Sequence, residues 1–283
     1  MNVICAKTAG FCFGVDKAVN TVYEQAKNSK LPVFTYGPII HNAHVVSELE
    51  GMGVSVIRSE EELDSVKEGT VVIRSHGVSK KIYDSLDRDG IVRVDATCPF
   101  VKKIHNIVYE DSVNGSTIVI AGDPDHPEVQ GIRGWVVGKC HIVNSEDELR
   151  NLKFEKNEKI TLVAQTTYNY EKFKDFVEII GEMGYHFKVC NTVCNATAER
   201  QKEARQTAQK VDAMIVIGDR HSSNSRKLYE ICKQQCKHTY FIETIVDLEN
   251  GDFLSVSDVG ITAGASTPKK IIEEVQNHVR REF

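Results

Sequence analysis

Along this chain, short runs of β-branched and aliphatic residues are separated by longer stretches in which apolar positions recur every three or four residues. Residues 71–73, 116–121, 160–164, 213–217 and 259–262 are such runs and are expected to be strands. Helical-length segments between them predict a parallel α/β architecture. After Cys12, the residues Val15, Ala18, Val19, Val22 and Ala26 fall on one helical face; between residues 172 and 183 the same spacing groups Phe173, Phe176, Val177 and Ile180. Both faces are expected to pack on a sheet. The acidic run Glu60, Glu61, Glu62 reads as a solvated helix start. No low-complexity tract or long Pro/Ser linker interrupts the pattern, so domain boundaries should be tight.

Superimposed on this pattern is a weak internal repeat carried by cysteines. Cys12 follows NVIC and precedes an amphipathic helix, Cys98 follows IVRVDAT and precedes PFVKKIHNIV, and Cys194 follows YHFKV and precedes NATAERQKEA. Each sits where a strand gives way to a helix, and their spacing is about one small α/β lobe, so three lobes with one such cysteine each are expected. A thiol at a helix N-terminus lies near the positive end of the helix dipole, which favours the metal-binding thiolate. Pro99 suits the first helical position, which makes Cys98 the expected N-cap. Cys5, Cys140 and Cys190 read as core or incidental thiols. So do Cys232 and Cys236, although their spacing of one helical turn makes them the first candidates for an exception.

Composition narrows the possibilities without choosing among them. The chain has 283 residues, 41% hydrophobic and 27% charged, with a formal net charge of -5. That balance gives no bulk attraction to nucleic acid or acidic lipid. The N-terminal MNVICAKTAGFCFG lacks the basic and apolar regions of a signal peptide, and no apolar run approaches a membrane span. A cytoplasmic protein is expected. Eight cysteines in that reducing compartment point away from a disulfide framework and toward metal ligands, nucleophiles or core thiols. Were the three junction cysteines to converge, zinc and an iron–sulfur cluster would compete. Zinc usually takes four protein ligands, commonly with a Cys-x-x-Cys knuckle that is missing here. Three thiolates on a four-iron cluster would leave one iron open to substrate.

A second constellation is polar and also follows the strands. GPIIHN places His41, IRSHG places His76, and AGDPDHPE places His126 and Glu128. AQTT places Thr166 and Thr167, RHSSNS places Ser222, Ser223 and Asn224, and TAGAS places Ser266. Imidazoles, hydroxyls and amides at loop-to-helix junctions suit an anionic, oxygen-rich ligand such as a diphosphate. No Walker loop is present to indicate a nucleoside triphosphate. Glu128, beside His-Pro, is a candidate proton donor if buried near the anion. His44, His105, His141, His186, His238 and His278 read as surface or core histidines, and His221 is left open.

Taken in order, GFCFGVDKAV, GPIIHN, RSHGVS, VDATCPFVKKIH, HPEVQG, AQTTY, CNATAERQ, SSNS and TAGAS resemble the 4-hydroxy-3-methylbut-2-enyl diphosphate reductase (IspH/LytB) family over nearly the whole chain. The resemblance implies three similar small α/β lobes with parallel sheets around a central [4Fe–4S] cluster: 14–96, 97–193, and 194–283 completed by the N-terminal strand 1–13. It implies that Cys12, Cys98 and Cys194 are the cluster ligands, with one open iron. It assigns the diphosphate to His41, His76, His126, Ser222, Ser223, Asn224 and Ser266, and proton delivery to Glu128 with Thr166. The implied reaction is reductive dehydroxylation of an allylic diphosphate to isopentenyl and dimethylallyl diphosphate, the last step of the non-mevalonate pathway, with electrons from an external ferredoxin or flavodoxin. The sequence departs from the usual pattern at Ala43-His44 and at Gly-Asp-Arg-His before Ser222. Two other readings stand beside this one: an iron–sulfur sensor or electron carrier without turnover, and a zinc-stabilised phosphate-binding module.

Overall fold

The computed structural model describes residues 2–248 and 256–282. The chain enters through β1 (Asn2–Cys5) and α1 (Phe13–Asn28). A first lobe follows as β2 (Val33–Tyr36), α2 (Ala43–Gly51), β3 (Ser55–Ile57), α3 (Glu60–Ser65), β4 (Gly69–Ile73), α4 (Lys80–Ser85) and β5 (Ile91–Asp95). Next come α5 (Pro99–Val113), β6 (Thr117–Ala121), α6 (Pro127–Arg133), β7 (Cys140–Val143), α7 (Glu146–Arg150), β8 (Ile160–Ala164), α8 (Tyr170–Met183) and β9 (Phe187–Val189). The last stretch contains α9 (Asn195–Ala208), β10 (Ala213–Ile217), α10 (Ser223–Gln235), β11 (His238–Ile242), β12 (Asp258–Ala263) and α11 (Lys269–Glu282).

These strands form three four-stranded sheets, β3-β2-β4-β5, β7-β6-β8-β9 and β1-β12-β10-β11. Every pairing is parallel. Numbered within its lobe, each sheet has the order 2-1-3-4, with β1 taking the fourth place in the last. The expected parallel α/β lobes are therefore present three times. In this order the first strand's crossover leads one way and the third strand lies on the other side. The carboxyl ends of these two central strands thus flank a crevice, the switch point at which ligands collect in open parallel sheets.

The chain divides into two compact units, Met1–Asp16 with His41–His44 and Asn195–Phe283, and Lys17–Ile40 with Val45–Cys194. In the first, both faces of the sheet are covered. Ile215, Ile217, Val259 and Ile261 meet Val275 and Val279 of α11, while Met214 and Val216 meet Ala204 of α9 and Leu228 of α10. In the second, Val71 and Ile73 pack with Leu63, Ile82 and Leu86. Ile118, Ile120 and Val163 lie against Ile104 and Val108 of α5, and Val119 and Leu162 against Phe173, Phe176 and Ile180 of α8. Each such side chain removed from water contributes about 1.5–3 kcal/mol, which explains why the central strands read as continuous apolar runs.

Local signals set the helix ends. Ser59 caps α3 by accepting from the Glu62 amide, and its acidic first turn is the solvated start expected. Asn169 caps α8, whose C-cap Gly184 adopts φ 75°, a left-handed conformation that costs glycine little. On α8 the packed face differs from the expected one. Val177 is 36% exposed, and Ile179 is buried in the cluster with Phe173, Phe176 and Ile180. Cys232 and Cys236 are likewise no exception to the core reading. Both are buried with Val216 and Leu228, their thiols facing backbone carbonyls, and burial with the neighbouring Cys236 pushes the Cys232 thiol up to about 12.

In the first unit, α9 holds the loop that leads from β1 to Cys12. Arg200 donates to the Gly10 carbonyl at 2.7 Å. Glu203 accepts from the Lys7 amide (2.8 Å), the Thr8 amide (2.9 Å) and the Thr8 hydroxyl (2.6 Å). Burial pushes the Glu203 carboxyl up, but these hydrogen bonds outweigh it and leave it below its ordinary value.

This packing sets different costs for neighbouring substitutions. Phe176→Ala should destabilise the protein by about 3–5 kcal/mol and Val177→Ala by no more than about 0.5, as read by urea denaturation; equal effects would contradict the observed face. Glu203 has a depressed folded pKa, so its stabilisation is present in full above the unfolded value of about 4.3 and is lost as pH falls through the folded value. Glu203→Gln should therefore lower the melting temperature at pH 7 and flatten its fall below pH 4, and parallel melting curves for the two proteins would refute this.

Candidate functional site

The three junction cysteines occupy equivalent places. Each follows the fourth strand of its sheet, and each immediately precedes a helix: Cys12 before α1, Cys98 before α5, Cys194 before α9. Their backbone partners are equivalent as well. The amide of Cys98 donates to Ser75 (3.0 Å), that of Cys194 to Thr166 (3.0 Å) and that of Cys12 to Ala265 (3.4 Å). Ser75, Thr166 and Ala265 each lie in the loop after the third strand of the same sheet, next to or at a residue of the polar constellation. Cys98 is the N-cap expected from Pro99, and its side chain makes no capping hydrogen bond. All eight cysteines are outside any disulfide, and these three are half-buried.

In the second unit the polar loops converge on Glu128. The residue is 1% exposed, and its carboxylate accepts from the Thr166 amide at Oε1 (2.6 Å) and the Thr166 hydroxyl at Oε2 (2.7 Å). A carboxylate can be taken from water only where donors replace its hydration, and one residue supplies both. His126 caps α6 through Nδ1, which accepts the Glu128 amide at 3.1 Å. Because Nδ1 accepts, the imidazole proton sits on Nε2, where it can be donated to an anion. The His76 ring stands edge-on to His126 with centroids 5.3 Å apart. Behind them Gln165 joins the loops after the first and third strands: Oε1 accepts from the Asp123 amide (3.3 Å), and Nε2 donates to Thr167 (2.9 Å). A Cβ on Gly122 would approach Val129 at 2.7 Å and Gln165 at 3.1 Å, so the close approach of the two loops requires glycine there.

In the first unit the loops after β10 and β12 carry hydroxyls and an amide. Ser222 caps α10 by accepting from the Ser225 amide. Ser223 and Asn224 follow in its first turn, and Ser266 lies beyond β12, one residue past the carbonyl that holds Cys12. The Asn224 amide oxygen and nitrogen and the Ser266 hydroxyl are buried, with no hydrogen-bond partner among the described residues. Such atoms are rare in folded proteins, and a ligand that bonds them is the ordinary explanation. His41 is half-buried in the short stretch His41–His44 of this unit, and His221 is exposed.

Some members of the constellation escaped the sequence reading. Gln165 lies inside the AQTT motif, yet only its fold position reveals that it bridges two loops. Ser225 is fully buried, and a Cβ on Gly218 or Gly264 would lie 2.2 or 2.0 Å from its hydroxyl. Arg200 and Glu203 sit at helical spacing after Cys194, but the loop they hold is at the other end of the sequence. His105, read as an ordinary histidine, is buried behind two of the site loops.

The chain matches the family model described as LytB protein over residues 3–280. It is 45% identical over 281 residues to the 4-hydroxy-3-methylbut-2-enyl diphosphate reductase of Caldanaerobacter subterraneus subsp. tengcongensis, covering 99% of this chain and 97% of that protein. Identity to the protein of the same name from Trichlorobacter lovleyi is 47% over 280 residues, covering 99% and 98%. The solved (E)-4-hydroxy-3-methyl-but-2-enyl diphosphate reductase, described as the terminal enzyme of the non-mevalonate pathway, superposes with TM-score 0.69 at 41% identity, covering 99% of both chains. The E-1-hydroxy-2-methyl-but-2-enyl-4-diphosphate reductase from Plasmodium falciparum superposes with TM-score 0.93 at 28% identity, covering 99% of this chain and 88% of that one. With nearly its whole length matched by the family model and by relatives well above 40% identity, this chain belongs to the LytB family.

Proposed function

We propose that this chain is the reductase its relatives are named for, removing the hydroxyl of (E)-4-hydroxy-3-methylbut-2-enyl diphosphate to give isopentenyl and dimethylallyl diphosphate, the last step of the non-mevalonate pathway. The observation that carries the reading is Glu128, a buried carboxyl group held at both oxygens by Thr166, whose own carbonyl holds Cys194. Iron–sulfur chemistry belongs to this family. The donor set here fits it, with three half-buried thiols at equivalent helix N-termini, none in a disulfide. Cys12, Cys98 and Cys194 would hold a [4Fe–4S] cluster with one iron lacking a protein ligand. When bound, that cluster supplies the two electrons and a Lewis-acidic site for the hydroxyl.

The protein's own groups do the rest. His41, His76, His126, Ser222, Ser223, Asn224 and Ser266 bind the diphosphate, with His126 donating from Nε2 and Asn224 and Ser266 bringing buried hydrogen-bonding atoms. Holding the diphosphate fixes the position of the allylic hydroxyl relative to Glu128, which converts encounter into orientation. Once Glu128 has taken up a proton from solvent, its Oε2–H donates to Thr166 Oγ1 in reverse of the resting hydrogen bond while the Thr166 hydroxyl donates to the departing oxygen, which leaves as water. Overall the C–O bond takes up two electrons and two protons and yields one C–H bond and one water. Reprotonation at either end of the allyl unit gives the two products. Electrons come from an external carrier of the ferredoxin or flavodoxin type. The proposed setting is the cytoplasm, which keeps thiols reduced; no described helix is long and apolar enough to cross a membrane.

The reading is tested by anaerobic turnover of the allylic diphosphate with reduced viologen dye. Glu128→Gln should lower kcat by about 10²–10⁴-fold while iron content and cluster absorbance stay at the wild-type level. Cys98→Ser should lose cluster absorbance itself. A fully active Glu128→Gln enzyme would refute the proton-donor role, and a wild-type protein purified without iron that still folds would refute the function.

A further inference from the structure

His105 lies seven residues beyond Cys98 on the inward face of α5, beside Val101, Ile104 and Val108. It is 4% exposed. One face of its ring stacks on Trp135, with centroids 5.1 Å apart and planes 15° from parallel. Trp135 is itself fixed, since its Nε1 donates to the Val78 carbonyl at 2.8 Å and Tyr83 and Tyr109 pack edge-on against it. The edge of the imidazole is turned toward the site loops. A Cβ on Gly77 would lie 2.6 Å from His105 Cε1, and one on Gly131 would lie 3.7 Å from its Nε2 and 3.6 Å from the His76 carbonyl.

Gly77 follows His76 directly, and Gly131 lies in α6, the helix that carries Glu128 and is capped by His126. The ring edge therefore abuts both backbones that present three groups of the proposed site, at the place where those backbones pack against each other. No larger residue fits at Gly77, which also adopts φ 70°, a left-handed conformation suited to glycine. Burial pushes the His105 imidazole down to about 4, with the Asp95 carboxylate opposing and the Lys102 ammonium assisting, so the ring is uncharged around neutral pH. Its Nε2 has no hydrogen-bond partner among the described residues. A buried polar atom left unbonded is costly, and an aliphatic side chain would fill the space without that cost. What the imidazole adds is a rigid ring held by its face on an indole and presenting a flat edge of fixed width to two glycine backbones.

We infer that His105 is a positioning residue for this reaction: its ring edge is the buttress on which the His76 loop and α6 are seated together, and it thereby sets the aim of His76, His126 and Glu128 at the substrate. This deepens the proposed function and rests on it. It also makes α5, which Cys98 caps, the element that couples that thiol to the proposed anion-binding loops.

The test measures KM and kcat for the allylic diphosphate, the inhibition constant of inorganic diphosphate and the ratio of the two products. In His105→Ala both KM and the inhibition constant should rise at least about tenfold and the product ratio should shift, because misplacing a positioned group by about 1 Å has effects of this order or larger. Iron content should stay at the wild-type level. Phe176→Ala, which destabilises the same unit through the apolar cluster of α8 and not through the one beneath α5, serves as the control and should leave the inhibition constant of the folded enzyme unchanged. Wild-type inhibition constant and product ratio in His105→Ala, whatever its melting temperature, would overturn the inference. Should His105→Ala fail to fold, His105→Gln, close to the imidazole in volume but without the ring, takes its place: the same shifts are expected, and wild-type values would overturn the inference equally. A wild-type enzyme that neither binds diphosphate nor turns over would instead sink the underlying reading, an outcome distinct from either.

Discussion

Three backbone hydrogen bonds, each from a cysteine amide to a carbonyl just past the third strand of its own sheet, fix where everything else in the candidate site can lie. In a 2-1-3-4 parallel sheet the fourth strand is an edge, and a loop leaving an edge has nothing inherent to hold it near the central crevice. The amide bond supplies that tether. It draws each thiol from the periphery toward the switch point, where His76, Thr166 and Ser266 are presented by the same loops. A thiol and a polar side chain are thereby placed as a pair in every lobe, although they come from different strands.

The neighbourhood of Glu128 shows what this arrangement makes possible. Moving a carboxylate out of water costs several kcal/mol unless donors replace the lost hydration. Thr166 supplies two of them, and the same residue's carbonyl accepts from Cys194. One threonine thus shares its amide, hydroxyl and carbonyl between a buried carboxylate and the backbone of a cysteine. Gln165 next to it ties the loop to the one bearing His126. Such a network joins three segments through hydrogen bonds that each member keeps in the fold, and a preorganised site need not reorganise during a reaction.

Much of the fold was legible in the sequence because parallel strands buried on both faces must be apolar throughout, and residues 116–121, 160–164 and 213–217 announce that without reference to anything distant. The junction position of Cys98 was legible for a related reason, since Pro99 marks a helix start whatever the tertiary structure does. Legibility fails where a residue's role depends on a partner remote in sequence. Val177 carries an apolar side chain at helical spacing, yet whether it or Ile179 meets the sheet depends on the crossing of α8 over β8. Cys232 and Cys236 have a spacing that metal sites also use, and only the hydrophobic core around them shows that they are packing. Glu203 and Arg200 gave no signal, because the loop they hold comes from the opposite end of the chain. His105 looked ordinary because the glycines that its ring edge abuts lie in two other segments.

The position of β1 has a temporal meaning as well as a spatial one. Asn2 is aligned with Asp258 across the β1–β12 pair, a sequence separation of 256 residues. Closing so long a loop costs only about 0.6 kcal/mol more than closing one half as long, so the thermodynamic penalty is slight. The kinetic order is strict, however, because at about 5–20 residues per second β12 leaves the ribosome roughly ten to fifty seconds after β1 does. Until then Cys12 has no Ala265 carbonyl to bond, whereas Cys98 and Cys194 already have theirs. The seat of the third thiol is therefore completed last, and the finished trio certifies that nearly the whole chain has been made.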